Sequence, residues 1–188
     1  MKVFDFDNTL YHGESAIEFG FFLMKKNVKV VLWIPKMLFG LLRYKMCLIS
    51  REEIMNQTDD FMKIIISSKK EVEDMAFEFW EKNEKYLHKE LIEKIEADDV
   101  IITASPSFII EPLKNKLRTS NIISSEIDLA NKHVVNLIFG EHKVKAYREK
   151  YGETPIDCFY TDSYNDKSLM DISKTVFLVD KKSIKQIK

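Results

Sequence analysis

Apolar positions change period along the chain, and the changes divide it into three stretches. Lys2 to Thr9 reads K-V-F-D-F-D-N-T. Val3, Phe4 and Phe6 make a short run of β-branched and aromatic character, and Asn8 follows with turn chemistry, which predicts a buried strand and its exit. From Glu14 to about Glu84 the pattern is helical and almost free of strand signals. Ser50 with Glu53 forms a capping-box pattern ahead of Ile54, Met55, Phe61 and Met62, and Ser68 with Glu71 repeats it. Val72, Met75, Ala76, Phe79 and Trp80 then recur at helical spacing, a stripe that reads as core. Pro35 is expected to break or kink the second helical stretch.

From Leu87 onward helix and strand alternate. A helix over His88 to Ile95 leads into an apolar run, Val100 to Thr103, ending in T-A-S-P-S. Ser105 before Pro106 has the N-cap and first-position arrangement of a helix buried through Ile109, Ile110, Leu113 and Leu117, with Pro112 forcing a kink or a late start. Ile122 to Ile127 and Val134 to Phe139 read as strands joined by a turn near Ala130 to Lys132. Gly140 to Lys143 opens an amphipathic helix through Tyr147. Cys158 to Thr161 and Val176 to Val179 form the last strand pair.

Composition narrows the classes. With 188 residues the chain can bury a full core, as one domain or one domain carrying an insertion. Lys plus Arg total 29 against 30 Asp plus Glu, so a net charge of -1 offers no general attraction for nucleic acid. Cys47 and Cys158 lack metal spacing and read as buried thiols of a reducing compartment, without a disulfide framework. Met1 is followed at once by a core strand, which leaves no room for a signal peptide; a cytoplasmic location is expected. Val28 to Leu42 is apolar, yet it is short and broken by Lys29, Pro35 and Lys36, whereas a spanning helix needs about 20 apolar residues. No membrane span is expected, although contact with a lipid surface or a greasy substrate stays open.

Candidate chemistry gathers at strand ends. Asp5 and Asp7 close the first strand, and the carboxyl edge of an open α/β sheet is where ligands bind. Hydroxyls at Thr103 to Ser107 beside a helix start suit an anion such as phosphate, or simply cap the helix. Lys143 sits in a first helical turn, where the helix dipole gives a lysine nothing. Asp162 and Asp166 again lie after a strand, either around a ligand or capping the helix near Lys167.

Taken together, these residues resemble the haloacid dehalogenase (HAD) superfamily, in its phosphoserine phosphatase-like branch with a helical cap. D-F-D-N-T at Asp5 to Thr9 matches the first motif, Thr103 the second, Lys143 the third, and Asp162 with Asp166 the fourth. The resemblance implies a three-layer α/β, Rossmann-like core with a mostly parallel sheet from residues 1–12 and 85–188. An all-helical cap, residues 13–84, would be inserted after the first motif. It also implies a phosphoric monoester hydrolase acting on a small phosphate ester: Asp5 as nucleophile forming an aspartyl-phosphate, Asp7 as general acid and base, Lys143 and Thr103 holding the phosphoryl oxygens. The second aspartate, at position 7, favours phosphoryl transfer, since the dehalogenases of the superfamily lack it.

Charge points the same way. Two unit charges ~4 Å apart repel by roughly 4 kcal/mol at an effective dielectric near 20, so four converging carboxylates call for a divalent cation. All-oxygen ligation beside phosphate favours Mg²⁺. The resemblance assigns it to Asp5, the Asp7 carbonyl and Asp162, with Asp166 as ligand or support. Glu14 falls where phosphoserine phosphatases carry a substrate-contacting glutamate, and Tyr11, His12, Arg51 and Ser105 are further candidates for substrate recognition. T-A-S-P replaces the Ser-Gly-Gly usual at the second motif, and Thr161 replaces a small residue before Asp162, which points away from phosphoserine itself. Two alternatives remain: a phosphatase of lipid or other apolar phosphate esters, given the Phe, Leu and Met of the helical stretch, and a non-catalytic phosphate-ester-binding protein.

Overall fold

Seven strands form one sheet in the order β4-β3-β2-β1-β5-β6-β7 in the computed structural model. The structure describes residues 1–26, 28–65, 68–180 and 183–188. The strands are β1 (Lys2–Asp5), β2 (Val100–Pro106), β3 (Ile122–Asp128), β4 (His133–Asn136), β5 (Ile156–Thr161), β6 (Ser173–Asp180) and β7 (Ser183–Gln186). From β3 through β6 neighbours run parallel, and only the edge strands β4 and β7 are antiparallel. Interior strands of such a sheet are covered on both faces, which is why β2 opens on the apolar run Val100 to Ile102.

The helices are α1 (Ser15–Lys26), α2 (Val28–Lys45), α3 (Arg51–Ile65), α4 (Lys69–Asn83), α5 (Lys89–Ile92), α6 (Ser107–Ile110), α7 (Glu141–Tyr151) and α8 (Lys167–Ile172). Alternation along β1 sends Phe4 to one face and Val3 to the other. Phe4 stacks on Tyr160 at 4.7 Å, and Tyr160 on Phe177 at 4.7 Å, a ladder across β1, β5 and β6. That face continues into Phe19 and Leu23 of α1 and Phe79 and Trp80 of α4. Trp80 joins the layers as well, its Nε1 donating to the Ile109 carbonyl at 2.5 Å. On the opposite face Val3, Val100 and Phe159 pack with Tyr147 of α7 and Leu169 of α8. The result is the expected three-layer α/β sandwich with helices inserted between β1 and β2.

Several local expectations need correction. The helix expected over His88 to Ile95 shrinks to α5, with the His88 ring accepting from the Leu91 amide. Pro35 does not end α2, which runs on to Lys45. Strand β2 extends through Pro106, so Ser105 is a strand residue and not a helix cap, and α6 starts only at Ser107. Pro112 confines α6 to four residues and leaves a 3-10 turn behind it, Glu111–Leu113, yet Ile109, Ile110, Leu113 and Leu117 are all buried as expected. Strand β4 stops at Asn136, short of the expected Phe139. Strand β7 was not expected at all, and Cys47 is exposed rather than buried; both cysteines are free. The Ser50 and Glu53 capping box forms in both directions, at 3.1 and 2.8 Å. Among the described residues no helix is long and apolar enough to cross a membrane.

Candidate active site

Asp5 lies at the carboxyl end of the central strand β1, on the face that Val3 shares with α7 and α8, and is 6% exposed. Lys143, in the first turn of α7, is 4% exposed and reaches it, Nζ to Asp5 Oδ1 at 2.6 Å. The same ammonium donates to Asp166 Oδ2 at 2.8 Å, and the Thr161 hydroxyl donates to that oxygen at 2.9 Å. This sets aside the capping reading of Asp166. It stands at the N-cap position of α8, but its side chain caps nothing; its carboxylate is given to Lys143 and Thr161.

After β1 the chain turns sharply. Asn8 takes a positive φ of 58°, which asparagine tolerates better than most residues, and the Phe6 carbonyl accepts from the amides of Thr9, Leu10 and Tyr11. The Asn8 amide donates to the Gly13 carbonyl at 3.0 Å, and its side chain to Glu14 Oε1 at 3.0 Å, closing the loop. A Cβ on Gly13 would lie 2.8 Å from the Tyr11 ring, so the close return needs glycine. The turn holds Asp7 against the start of α1, where the Ser15 amide donates to Oδ1 at 2.7 Å. Ser105 donates its hydroxyl to Asp7 Oδ2 at 2.7 Å, which leaves Ser15, 2.7 Å from Ser105, as donor to the Ser105 oxygen.

These groups open on a cavity of about 360 Å³. Asp5, Asp7, Glu14, Ser105, Lys143, Asp162 and Asp166 all line it, drawn from five separate stretches of sequence. Thr103 does not: it is fully buried, and its hydroxyl accepts from the Ser105 amide at 3.0 Å. Arg51 does not either; its guanidinium donates to the Asn136 side chain in a separate cleft beside His142. Tyr11 is buried with its hydroxyl on Glu18 and its ring against Trp80, and neither it nor His12 is on the cavity wall. Sequence reasoning missed Ser15, Ser125 and Asn165, the last two cavity-lining residues. Only Ser15 carried a signal, as a serine ahead of an apolar helix.

Electrostatics in the cavity are lopsided. Among the described residues Lys143 is the one cation on its wall, against four aspartates and Glu14. Burial pushes the Asp5 carboxyl well above the usual carboxylate range, and the charges of Asp166 and Asp7 add to this while Lys143 opposes it. Burial and Asp166 push Asp162 up in the same way. Burial works against the charge on Lys143, but Asp5 and Asp166 outweigh it and hold the ammonium above its ordinary range. A separate acidic group, Glu96, Asp98 and Asp99, lies before the other end of β2, where Lys2 pairs with Glu96 and Asp99.

Comparison with known proteins gives the fold and the family. No curated protein sequence matches the chain. Among solved structures, a protein of unknown function from Bordetella pertussis Tohama I superposes with a TM-score of 0.74 at 16% identity, covering 94% of this chain and 87% of that one. A phosphoserine phosphohydrolase-like protein from Francisella tularensis subsp. tularensis SCHU S4 follows at 0.60 and 20% identity, covering 94% and 86%. A phospho-aspartyl intermediate analogue of phosphoserine phosphatase superposes at 0.54 and 12% identity, covering 93% and 83%. At such identities the likeness establishes the fold. The family profile of haloacid dehalogenase-like hydrolases matches residues 3–171, a span that runs from β1 through α8, ends before β6, and includes the positions of the cavity's carboxylates. The chain is a member of that family, a haloacid dehalogenase-like hydrolase.

Proposed function

We propose that this hydrolase cleaves phosphomonoesters in two steps through an aspartyl-phosphate on Asp5. The observation that carries the reading is the buried contact of Asp5 with Lys143, beside an Asp7 held by Ser105 and Ser15. Lys143 and Asp5 Oδ1 hold each other, which leaves Oδ2, whose nearest donor is the Thr9 hydroxyl at 3.5 Å, to attack phosphorus. As the phosphorus–oxygen ester bond breaks, Asp7 delivers its proton to the leaving oxygen. In the second step Asp7 takes a proton from water as that water attacks the acyl-phosphate, releasing phosphate and restoring Asp5. Lys143 faces the charge that gathers on the phosphoryl oxygens. Thr103, off the cavity wall, acts through the Ser105 amide instead of touching substrate.

The donor set fits Mg²⁺: it is all oxygen, and its negative charge exceeds what Lys143 offsets. Asp5, the Asp7 carbonyl and Asp162 would hold the ion; Asp166, already engaged by Lys143 and Thr161, would support it. When bound, the ion supplies positive charge to the phosphoryl oxygens. Residues 13–84 act as a cap whose helices α1 and α2 contribute Ile17, Leu38, Leu41 and Tyr44 to the cavity wall, and its closure excludes bulk water.

The test is hydrolysis of a panel of phosphomonoesters, including a chromogenic aryl phosphate, with Mg²⁺ and with chelator. Turnover that chelation abolishes and Mg²⁺ restores is the expected result; phosphate-ester binding without turnover would make the protein a binding module. Ser105→Ala tests the support of Asp7. Loss of one hydrogen bond to a charged group is worth about 1.5–3 kcal/mol, so kcat should fall roughly 10- to 100-fold with KM little changed. A fall in kcat below threefold would detach Ser105 from the proton transfer.

A further inference from the structure

The catalytic cavity does not end at its carboxylates. A second compartment of about 170 Å³ adjoins it, and Ala16, Ile17, Leu38, Leu41, Ala104 and Leu137 line both spaces. Its other walls are apolar and include Phe19, Phe61, Met62 and Phe108. Among the described residues Thr58 brings the one polar side chain, and its hydroxyl is spent on the Ile54 carbonyl at 2.8 Å. An apolar cavity of about 150 Å³ inside a protein stays dry and admits a guest the size of benzene. A charged or hydroxylated alcohol group would find no partner there.

Resting on the phosphatase reading of the same site, we infer that the substrate is a phosphomonoester of a hydrocarbon alcohol. Its phosphate sits at Asp5 and Lys143, and an alkyl or acyl chain of roughly six carbons or more fills the apolar compartment. The outer surface of α2 is consistent with that cargo. Leu42, which lines the catalytic cavity, is 54% exposed, and Phe39, three residues before it, and Leu32, seven residues before Phe39, are 62% and 81% exposed on the same helix face. Apolar surface therefore reaches from solvent to the cavity wall.

The experiment is kcat/KM for the series from ethyl to octyl phosphate on the wild-type protein. Each buried methylene should raise kcat/KM up to about fourfold until the compartment is full. In Thr58→Phe, whose ring occupies the compartment, the ratio of hexyl to ethyl phosphate should fall at least tenfold. A flat series with good turnover of every ester overturns the inference and leaves the phosphatase reading intact. Binding of the same series to Asp5→Asn, followed by calorimetry, separates the opposite case: no turnover by the wild type, with affinity rising along the series, keeps the apolar site and removes the phosphatase. No turnover by the wild type, together with affinity indifferent to chain length, overturns both. Hexyl phosphate in solution and phosphatidic acid in phosphatidylcholine vesicles distinguish a free ester from a bilayer as the source, and turnover of either supports the hydrocarbon class.

Discussion

Asp5→Asn is expected to lower phosphomonoester turnover by about four orders of magnitude or more while leaving the fold intact. Removing a covalent nucleophile costs an enzyme up to about 10⁶ in kcat, because what survives is binding and electrostatics alone. The amide keeps the size of the carboxyl, so β1 still fits between β2 and β5. Its oxygen can still accept from Lys143, and Lys143 retains Asp166 at 2.8 Å. Thermal unfolding of the variant should therefore stay near that of the wild type while kcat collapses. Residual activity within tenfold of wild type would mean that Asp5 is not the group that attacks.

Lys143→Met is expected to damage stability and chemistry together. The ammonium is the buried partner of two buried carboxylates, and deleting one side of such a contact costs about 3–5 kcal/mol, since uncompensated charge stays behind. For a chain of this length about 2–4 °C of melting temperature goes with each kcal/mol, so a fall of roughly 6–20 °C should be seen by calorimetry. Turnover should fall a further 10²- to 10³-fold beyond any loss of folded protein, the usual cost of one preorganised donor at the transition state. A variant that melts within 2 °C of wild type would show that Asp5 and Asp166 do not need the lysine for folding.

The sheet was legible because its central strands carry their own signal. Two-sided burial makes Val100 to Ile102 an unbroken apolar run and surrounds Asp5 with Val3, Phe4 and Phe6, against which the carboxylates of Asp5 and Asp7 stand out. Asp5, Asp7 and Lys143 stood out as charges that the expected elements did not call for, whereas Asp162 and Asp166 had a capping alternative; all five line the cavity. Thr103 and Ser105 were harder. Two residues apart on a regular strand they would face one way, but the register of β2 against β3 shifts between Ile102 and Pro106, and only Ser105 reaches the cavity. A bulge of this kind is set by the neighbouring strand and leaves no local trace. Arg51 was misplaced because its partner, Asn136, lies 85 residues away and belongs to another element. Strand β7 pairs with one neighbour only, so its sequence, S-I-K-Q, shows no buried run.

The central position of β1 also sets the order in which the molecule can be built. Val3 pairs with Val100 on one side and with Phe159 on the other, so β1 waits for partners that are made 97 and 156 residues after it. Helices α1 to α4 emerge in between and have local contacts to form at once, whereas the sheet depends on the most distant pairings in the chain, which close slowly. A nascent chain ending before Ile156 carries Phe4 without the Tyr160 it stacks on, and that bare apolar edge is a target for chaperones or for other unfinished copies. Since Asp166 lies beyond β5, Asp5 gains its full set of neighbours only after β5 has been made, and a nascent chain that stops before Asp166 carries no finished site.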